Sequence, residues 1–134
     1  AYAAVIPLFV RALMRDEQPV IFGDGLQSRD FSYVDNVVEA NLLACQAPKE
    51  ACGNVFNIAC GQRTSLNDLY YKICDLLGKQ MEPRYAESRQ GDVKHSLADI
   101  TKAKTVLGYQ AKYDVFTGLE MAIDWYKEHA QLWM

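Results

Sequence analysis

Two arginines that stand beside glycines carry the most chemical promise in this sequence. Arg29 closes the run Gly23-Asp24-Gly25-Leu26-Gln27-Ser28-Arg29, and Arg89 opens Arg89-Gln90-Gly91-Asp92 much further along the chain. A guanidinium grips a phosphate or carboxylate with two parallel hydrogen bonds, so two arriving from separate elements can clamp a diphosphate. The neighbouring glycines let the backbone take positive φ or admit a ligand closely. The same residues also suit a structural purpose, an internal ion pair of Arg29 with Asp24 or Asp30, and surface arginines more often pair loosely than bind.

Other chemistry is poorly supported. The chain has no Ser-His-Asp order, no HExxH and no Cys–His spacing that points to a nucleophile and its base, so no catalytic residue is assigned. His95, next to Lys94, reads as a solvated loop histidine. Cys45, Cys52, Cys60 and Cys74 form no CxxC pair, which is poor spacing for zinc; free thiols and no metal site are expected. Gly23-Asp24-Gly25 lacks the third glycine of a dinucleotide fingerprint, and no P-loop is present.

The elements that must position the arginines follow from local rules. Val5, Leu8, Phe9, Ala12 and Leu13 recur at helical spacing, Pro7 sits near the first turn, and Pro19 stops the helix by Glu17. Val20 to Phe22 reads as a short strand, followed by a tight turn, a second strand ending at Arg29, and a helix capped by Asp35. That helix carries Val34, Val37, Val38, Leu42 and Cys45 as its apolar face, with Asn41 on or beside it, and ends before Pro48. Asn54 to Ala59 reads as a strand buried in a mostly parallel sheet. Ser65-Leu66-Asn67-Asp68 is a variant capping box that opens a helix running to Gly78, so that strand, glycine turn and helix form part of a βαβ-like layer. Pro83 to Ala86 reads as a short edge strand, Asp99 and Asp114 cap two further helices, and Trp125 and Trp133 are expected to pack rather than bind.

Composition sets outer limits. At 134 residues and 50% hydrophobic, the chain has the material for one packed domain spanning its whole length. A net charge of -3 with no basic stripe argues against nucleic-acid or anionic-membrane partners. No apolar run approaches a membrane span and no leader-like segment is present, so a cytoplasmic protein is expected. The chain opens on Ala1, with residues that already approach a helix, which suggests part of a longer protein.

Taken in order, Ala3-Ala4-Val5-Ile6-Pro7, Gly23-Asp24-Gly25 through Ser28-Arg29-Asp30-Phe31 to Val34-Asp35-Asn36-Val37, Arg63-Thr64-Ser65-Leu66, and Arg89-Gln90-Gly91-Asp92 through Ala98-Asp99 to Lys102-Ala103 and Leu107-Gly108-Tyr109 resemble the C-terminal part of the extended short-chain dehydrogenases. The resemblance is strongest to UDP-sugar 4-epimerases, especially those acting on UDP-N-acetylhexosamines, enzymes of nucleotide-sugar metabolism and polysaccharide biosynthesis. It implies an α/β fold, the C-terminal portion of a Rossmann-type enzyme, with helices packed on a small mixed sheet. It also implies that Arg29 and Arg89 hold the pyrophosphate of UDP and that Asp92 takes a ribose hydroxyl. Val20 and Phe22 would meet the uracil, with Ala4 and Val5 covering the nucleotide from the first helix.

The resemblance further places Ser96 in the sugar pocket, where a tyrosine goes with plain hexoses and a small residue with N-acetylated ones. A loop serine that merely satisfies a backbone group is the alternative. NAD, the glycine-rich fingerprint, the catalytic Ser or Thr, the Tyr-x-x-x-Lys pair and a homodimer interface belong to the family's N-terminal half. This chain alone is therefore expected to bind no NAD and to be inactive. The same grip serves nucleotide-sugar 4,6-dehydratases and decarboxylases, and a binding module that has lost the chemistry would also retain it.

Overall fold

The computed structural model describes residues 4–133. Helix α1 (Val5–Met14) leads into β1 (Val20–Phe22), a glycine turn, β2 (Ser28–Arg29) and α2 (Val34–Gln46). A single 3-10 turn, Lys49–Ala51, precedes β3 (Thr64–Ser65), α3 (Leu66–Leu77) and β4 (Arg84–Ala86). Helices α4 (Thr101–Leu107), α5 (Val115–Glu128) and α6 (Ala130–Trp133) complete the described chain.

The strands form two small ladders. β1 pairs in parallel with β4, Ile21 opposite Tyr85, and the pairing is extended at both ends by Arg84 N–H to Pro19 O and Gly23 N–H to Ala86 O, each 2.8 Å. β2 pairs antiparallel with β3, placing Arg29 opposite Thr64. The strand expected at Asn54 to Ala59 is not formed: the backbone runs there without a ladder partner among the described residues, and a strand needs a neighbour to take its N–H and C=O groups. Phe56 and Ile58 still pack inward, while Val55 is 82% exposed. Without that strand, the βαβ-like layer expected from it, the glycine turn and α3 does not form among the described residues.

Two hydrophobic clusters hold the elements. The first joins α1, α3 and α5 through Phe9, Leu13, Leu69, Tyr70, Ile73, Leu119 and Ile123, with Ile21 of β1 against them. Each fully buried aliphatic or aromatic side chain there contributes about 1.5–3 kcal/mol. Phe9 meets Tyr70 edge to face at 5.2 Å, and Tyr70 OH donates to Met81 O at 2.7 Å, which closes the polar end of a buried ring. The second cluster packs α4 beneath α2 through Ala40, Ala51, Ala59, Ile100, Ala103, Leu107 and Tyr109, whose hydroxyl donates to Ala59 O.

Helix ends follow local chemistry in most places. Ser65 Oγ accepts from Asp68 N–H and donates to Asp68 Oδ2, Asp114 accepts from Thr117 N–H, and Gly78 and Gly108 close their helices in the left-handed region. At α4, Ile100 takes the cap position, while Asp99 Oδ1 accepts from Thr101 N–H one residue outside it.

Helix α2 departs from expectation twice. Tyr33, not Asp35, is the residue at its N-cap, and it makes no side-chain cap bond; Asp35 lies in the first turn, where its charge suits the helix dipole. Packing fixes this entry instead: Tyr33 stacks edge to face on Tyr113 and sits so close to α5 that a Cβ at Gly118 would lie 2.8 Å from Tyr33 Cβ. The expected apolar face is turned outward, with Val34 61%, Val38 50% and Leu42 53% exposed. The inward side carries Ala40 and Asn36, the latter 1% exposed. Asn36 sets the rotation: its Nδ2 donates to Tyr113 O at 2.7 Å while its Oδ1 accepts from the N–H groups of Lys112 and Tyr113. A buried amide so satisfied is costly to turn away from its partners. Trp125 is half exposed and stacks on His129; the side chain of Trp133 lies outside the described residues.

Candidate functional site

The turn after β1 is the pivot of the site. Gly25 has φ +73°, and a Cβ built there would fall 1.9 Å from Asn67 Oδ1, so any other residue would strain the turn and displace the Asn67 side chain at the start of α3. Asn67 fastens that contact: its N–H donates to Gly25 O at 3.0 Å and its Nδ2 to Asp24 O at 3.1 Å, while Tyr85 OH of β4 donates to its Oδ1. Gln27 Nε2 donates to Phe22 O, which folds the end of the turn back over β1. The chain then delivers Arg29 from β2 toward the same side as Phe22.

The second arginine arrives on the loop that follows β4. Main-chain bonds register this loop on β2: Ser28 N–H donates to Lys94 O at 2.8 Å, and Ser96 N–H donates to Ser28 O at 3.1 Å. Ser28 Oγ lies 2.9 Å from His95 Nδ1. Arg29 Nη1 reaches Ser28 O and Lys94 O, and its Nη2 donates to Asp92 Oδ1 at 2.5 Å, an ion pair of two partly exposed groups. The guanidinium of Arg89 lies over the ring of Phe22, 4.0 Å from its centroid.

These groups share one cleft. A cavity of about 200 Å³ is lined by Val5 of α1, Val20 and Phe22 of β1, Arg29 of β2, Leu66 of α3, and Arg89 and Asp92 of the loop. A wider recess of about 350 Å³ shares Phe22, Gln27, Arg89 and Asp92 with it and adds Asp24, Ser88 and Lys94. The arrangement offers two guanidinium groups, a carboxylate and an aromatic ring on apolar walls, which suits an anion attached to a flat, hydroxylated body.

Six of the eight residues singled out in the sequence therefore meet in one place: Val5, Val20, Phe22, Arg29, Arg89 and Asp92. Ala4 does not join them; it lines a separate apolar recess of about 340 Å³ between α1, the start of α2 and α5. Ser96 is exposed at the far end of the loop, tied by its main-chain N–H and outside the lining of the cleft. The ion pair of Arg29 with Asp24 or Asp30 is not what forms. Asp30 accepts instead from the N–H groups of Cys60, Gly61 and Ala98, and Asp24 accepts from Leu26 N–H.

Sequence reasoning missed Gln27, buried between the two cavities, and the tie from Ser28 to His95. A polar residue five positions after Phe22 across a two-glycine turn is the only signal for the first.

The remaining candidates for chemistry stay quiet. Burial, and then the charge of Asp30, push the Cys60 thiol above its ordinary value, which disfavours a thiolate nucleophile. Among the described residues no cluster of His, Cys, Asp and Glu has the arrangement of a metal site, and no helix is long and apolar enough to cross a membrane.

Residues 1–59 match the sequence model of the NAD dependent epimerase/dehydratase family. A UDP-glucose 4-epimerase of Mycolicibacterium smegmatis is 33% identical over 96% of this chain and 41% of its own length. The structure of a UDP-glucose 4-epimerase of Thermotoga maritima with UDP-glucose superposes with a TM-score of 0.89 at 38% identity, covering 97% of this chain and 41% of that one. A UDP-N-acetylglucosamine 4-epimerase of Methanobrevibacter ruminantium M1, in complex with UDP-N-acetylmuramic acid, is also 38% identical, with a TM-score of 0.85 over 95% of this chain and 40% of its own. A dTDP-glucose 4,6-dehydratase of Streptomyces griseus matches at 28% identity over 96% of this chain and 39% of its own. The chain thus spans about 40% of the length of each of these relatives.

Proposed function

We propose, for a chain whose residues 1–59 match the NAD dependent epimerase/dehydratase family and which superposes on about 40% of a UDP-glucose 4-epimerase, that its cleft holds the UDP end of a nucleotide sugar for a 4-epimerase. The observation that carries this reading is the convergence of Arg29, Arg89, Asp92 and Phe22, from three separate elements, on one cleft. Arg29 and Arg89 grip the diphosphate, Asp92 accepts from a ribose hydroxyl, and Phe22 and the backbone of Val20 meet the base. Val5 closes the nucleotide from α1. The sugar extends beyond the diphosphate, where its ring is free to turn.

That division of labour suits inversion at C4 through a transient 4-keto sugar. Binding energy placed on the UDP end is remote from the reacting carbon, so it orients the substrate without fixing which face of the sugar is presented. The chain's own residues do not form a dinucleotide cradle: the Gly23–Gly25 turn leads into β2 rather than into the N-terminus of a helix. No step through NAD is therefore assigned to them. That cofactor, the acid–base residues and a dimer interface are proposed to lie in a part of the protein that this chain does not include.

Product analysis on the full-length protein tests the reading. Incubation with UDP-sugars is expected to yield the C4 epimer. A 4-keto-6-deoxy or decarboxylated product would reassign the same grip to a dehydratase or decarboxylase, a class to which the dTDP-glucose 4,6-dehydratase relative belongs by name.

A further inference from the structure

The chain pairs each candidate phosphate ligand with a candidate ligand for a different part of the nucleotide. Arg29, read as a diphosphate ligand, is bonded to Asp92, read as the ribose ligand, at 2.5 Å. Arg89, the other diphosphate ligand, lies 4.0 Å from the ring centroid of Phe22, read as the base ligand. Both pairings obstruct simultaneous binding. A carboxylate in charge-assisted contact with a guanidinium holds the position that a phosphate oxygen would take, and a guanidinium over a ring covers a face on which a base would stack.

We infer that nucleotide binding here is an exchange of partners, in which Asp92 and Phe22 act as built-in stand-ins for the diphosphate. The inference rests on the functional reading above and adds to it a rule of selectivity. A ligand with a diphosphate and no nucleoside takes the arginines but leaves Asp92 and Phe22 without their cations. A nucleoside with no diphosphate takes Phe22 and Asp92 but leaves the arginines without anions. A nucleoside diphosphate replaces every pairing it breaks. The base half and the diphosphate half thus favour one another's binding, and inorganic phosphates compete poorly despite their charge.

The two stand-ins sit on different elements, Phe22 on β1 and Asp92 on the loop after β4, so each pairing can be released separately. Removing either stand-in has a sign that a plain contact role does not share. An uncharged residue that only touches the nucleotide, when replaced, leaves pyrophosphate binding unchanged, so Phe22→Leu discriminates the two roles, whereas Asp92→Asn also lowers the negative charge of the cleft. A stand-in, when replaced, frees an arginine and tightens it.

The test measures the affinities of UDP and inorganic pyrophosphate by titration calorimetry for the full-length protein, unsubstituted and as Phe22→Leu and Asp92→Asn. Leucine keeps the apolar wall without a π-face, and Asp92 is an exposed loop residue, so the two variants guard against a fold defect in either one. Both variants are expected to bind pyrophosphate about two- to fivefold more tightly, the range set by an exposed cation–π contact and a surface ion pair. The preference for UDP over pyrophosphate is expected to fall in both. Pyrophosphate affinity that is unchanged or weaker in either variant, while UDP still binds the unsubstituted protein, overturns the exchange and leaves the site in place. Failure of UDP to bind the unsubstituted full-length protein overturns the site itself and the exchange with it.

Discussion

Ser28 Oγ and His95 Nδ1 lie 2.9 Å apart, and this contact ties β2, which carries Arg29, to the loop that carries Arg89 and Asp92. Main-chain bonds on both sides of Ser28 set the register, so the histidine locks a geometry that already exists. His95→Ala is expected to cost about 0.5–1.5 kcal/mol of stability by chemical denaturation, the net worth of one hydrogen bond, and to weaken UDP binding. His95→Asn, which retains a polar group near the Nδ1 position, is expected to recover part of both. Identical stability and UDP affinity in His95→Ala would show that the main-chain bonds suffice.

Gly25 meets Asn67 with no room for a methyl group. Gly25→Ala is expected to destabilise the chain by about 1–3 kcal/mol, since positive φ and the clash both act against it. The double variant with Asn67→Ala removes the clash and retains the backbone strain, so thermal unfolding should show partial recovery. Recovery to the level of Asn67→Ala alone would show that the backbone at Gly25 is unstrained.

Ser96 is exposed at the end of the loop that carries Arg89 and Asp92, outside the cleft lining, and its size is proposed to admit an acetamido group where the rest of the full-length protein closes over the sugar. Ser96→Tyr in the full-length protein is expected to shift kcat/KM toward UDP-glucose and UDP-galactose and away from their N-acetylated counterparts. The expected change is about 1–3 kcal/mol in relative terms, the usual cost of forcing extra volume into a packed site. An unmoved ratio would remove Ser96 from the sugar pocket.

Acid stability reports on the cap of α5. Thr117 N–H, donating to Asp114, holds that carboxyl below its ordinary value of 3.8. A depressed carboxylate contributes stability that is fully present above the unfolded value and is lost as pH falls through the folded one. The advantage of the native chain over Asp114→Ala, about 0.5–2 kcal/mol at neutral pH, should therefore hold down to about pH 4 and shrink below it. A constant difference through that range would mean that the charge of Asp114 does not matter to the cap.

What the sequence reveals here is mostly local. Ser65, Asp114 and Gly78 act within a few residues of themselves, so their roles follow from spacing. The glycine turn and the two arginines are legible for the same reason, and the family resemblance brings them together. Asn36 is not legible: its partners lie 76 and 77 residues away, and they rotate α2 so that a face rich in valine and leucine turns outward. Asn54 to Ala59 has strand composition, but forming a strand depends on a neighbour that composition does not supply. His95 looks like a solvated loop residue until the register of its loop on β2 is known.

Arg29 and Arg89 are proposed to hold the diphosphate of a UDP-sugar between them, and calorimetric titration of UDP into the full-length protein and its arginine variants reads their contribution. Arg29→Ala and Arg89→Ala are each expected to weaken binding by about 2–4 kcal/mol, because phosphate charge is left partly unpaired in the cleft. Lysine at either position should restore only part of the loss, since it cannot grip two oxygens in one plane. UDP affinity that is unchanged in both alanine variants would show that the two arginines serve the fold and that the nucleotide is held elsewhere.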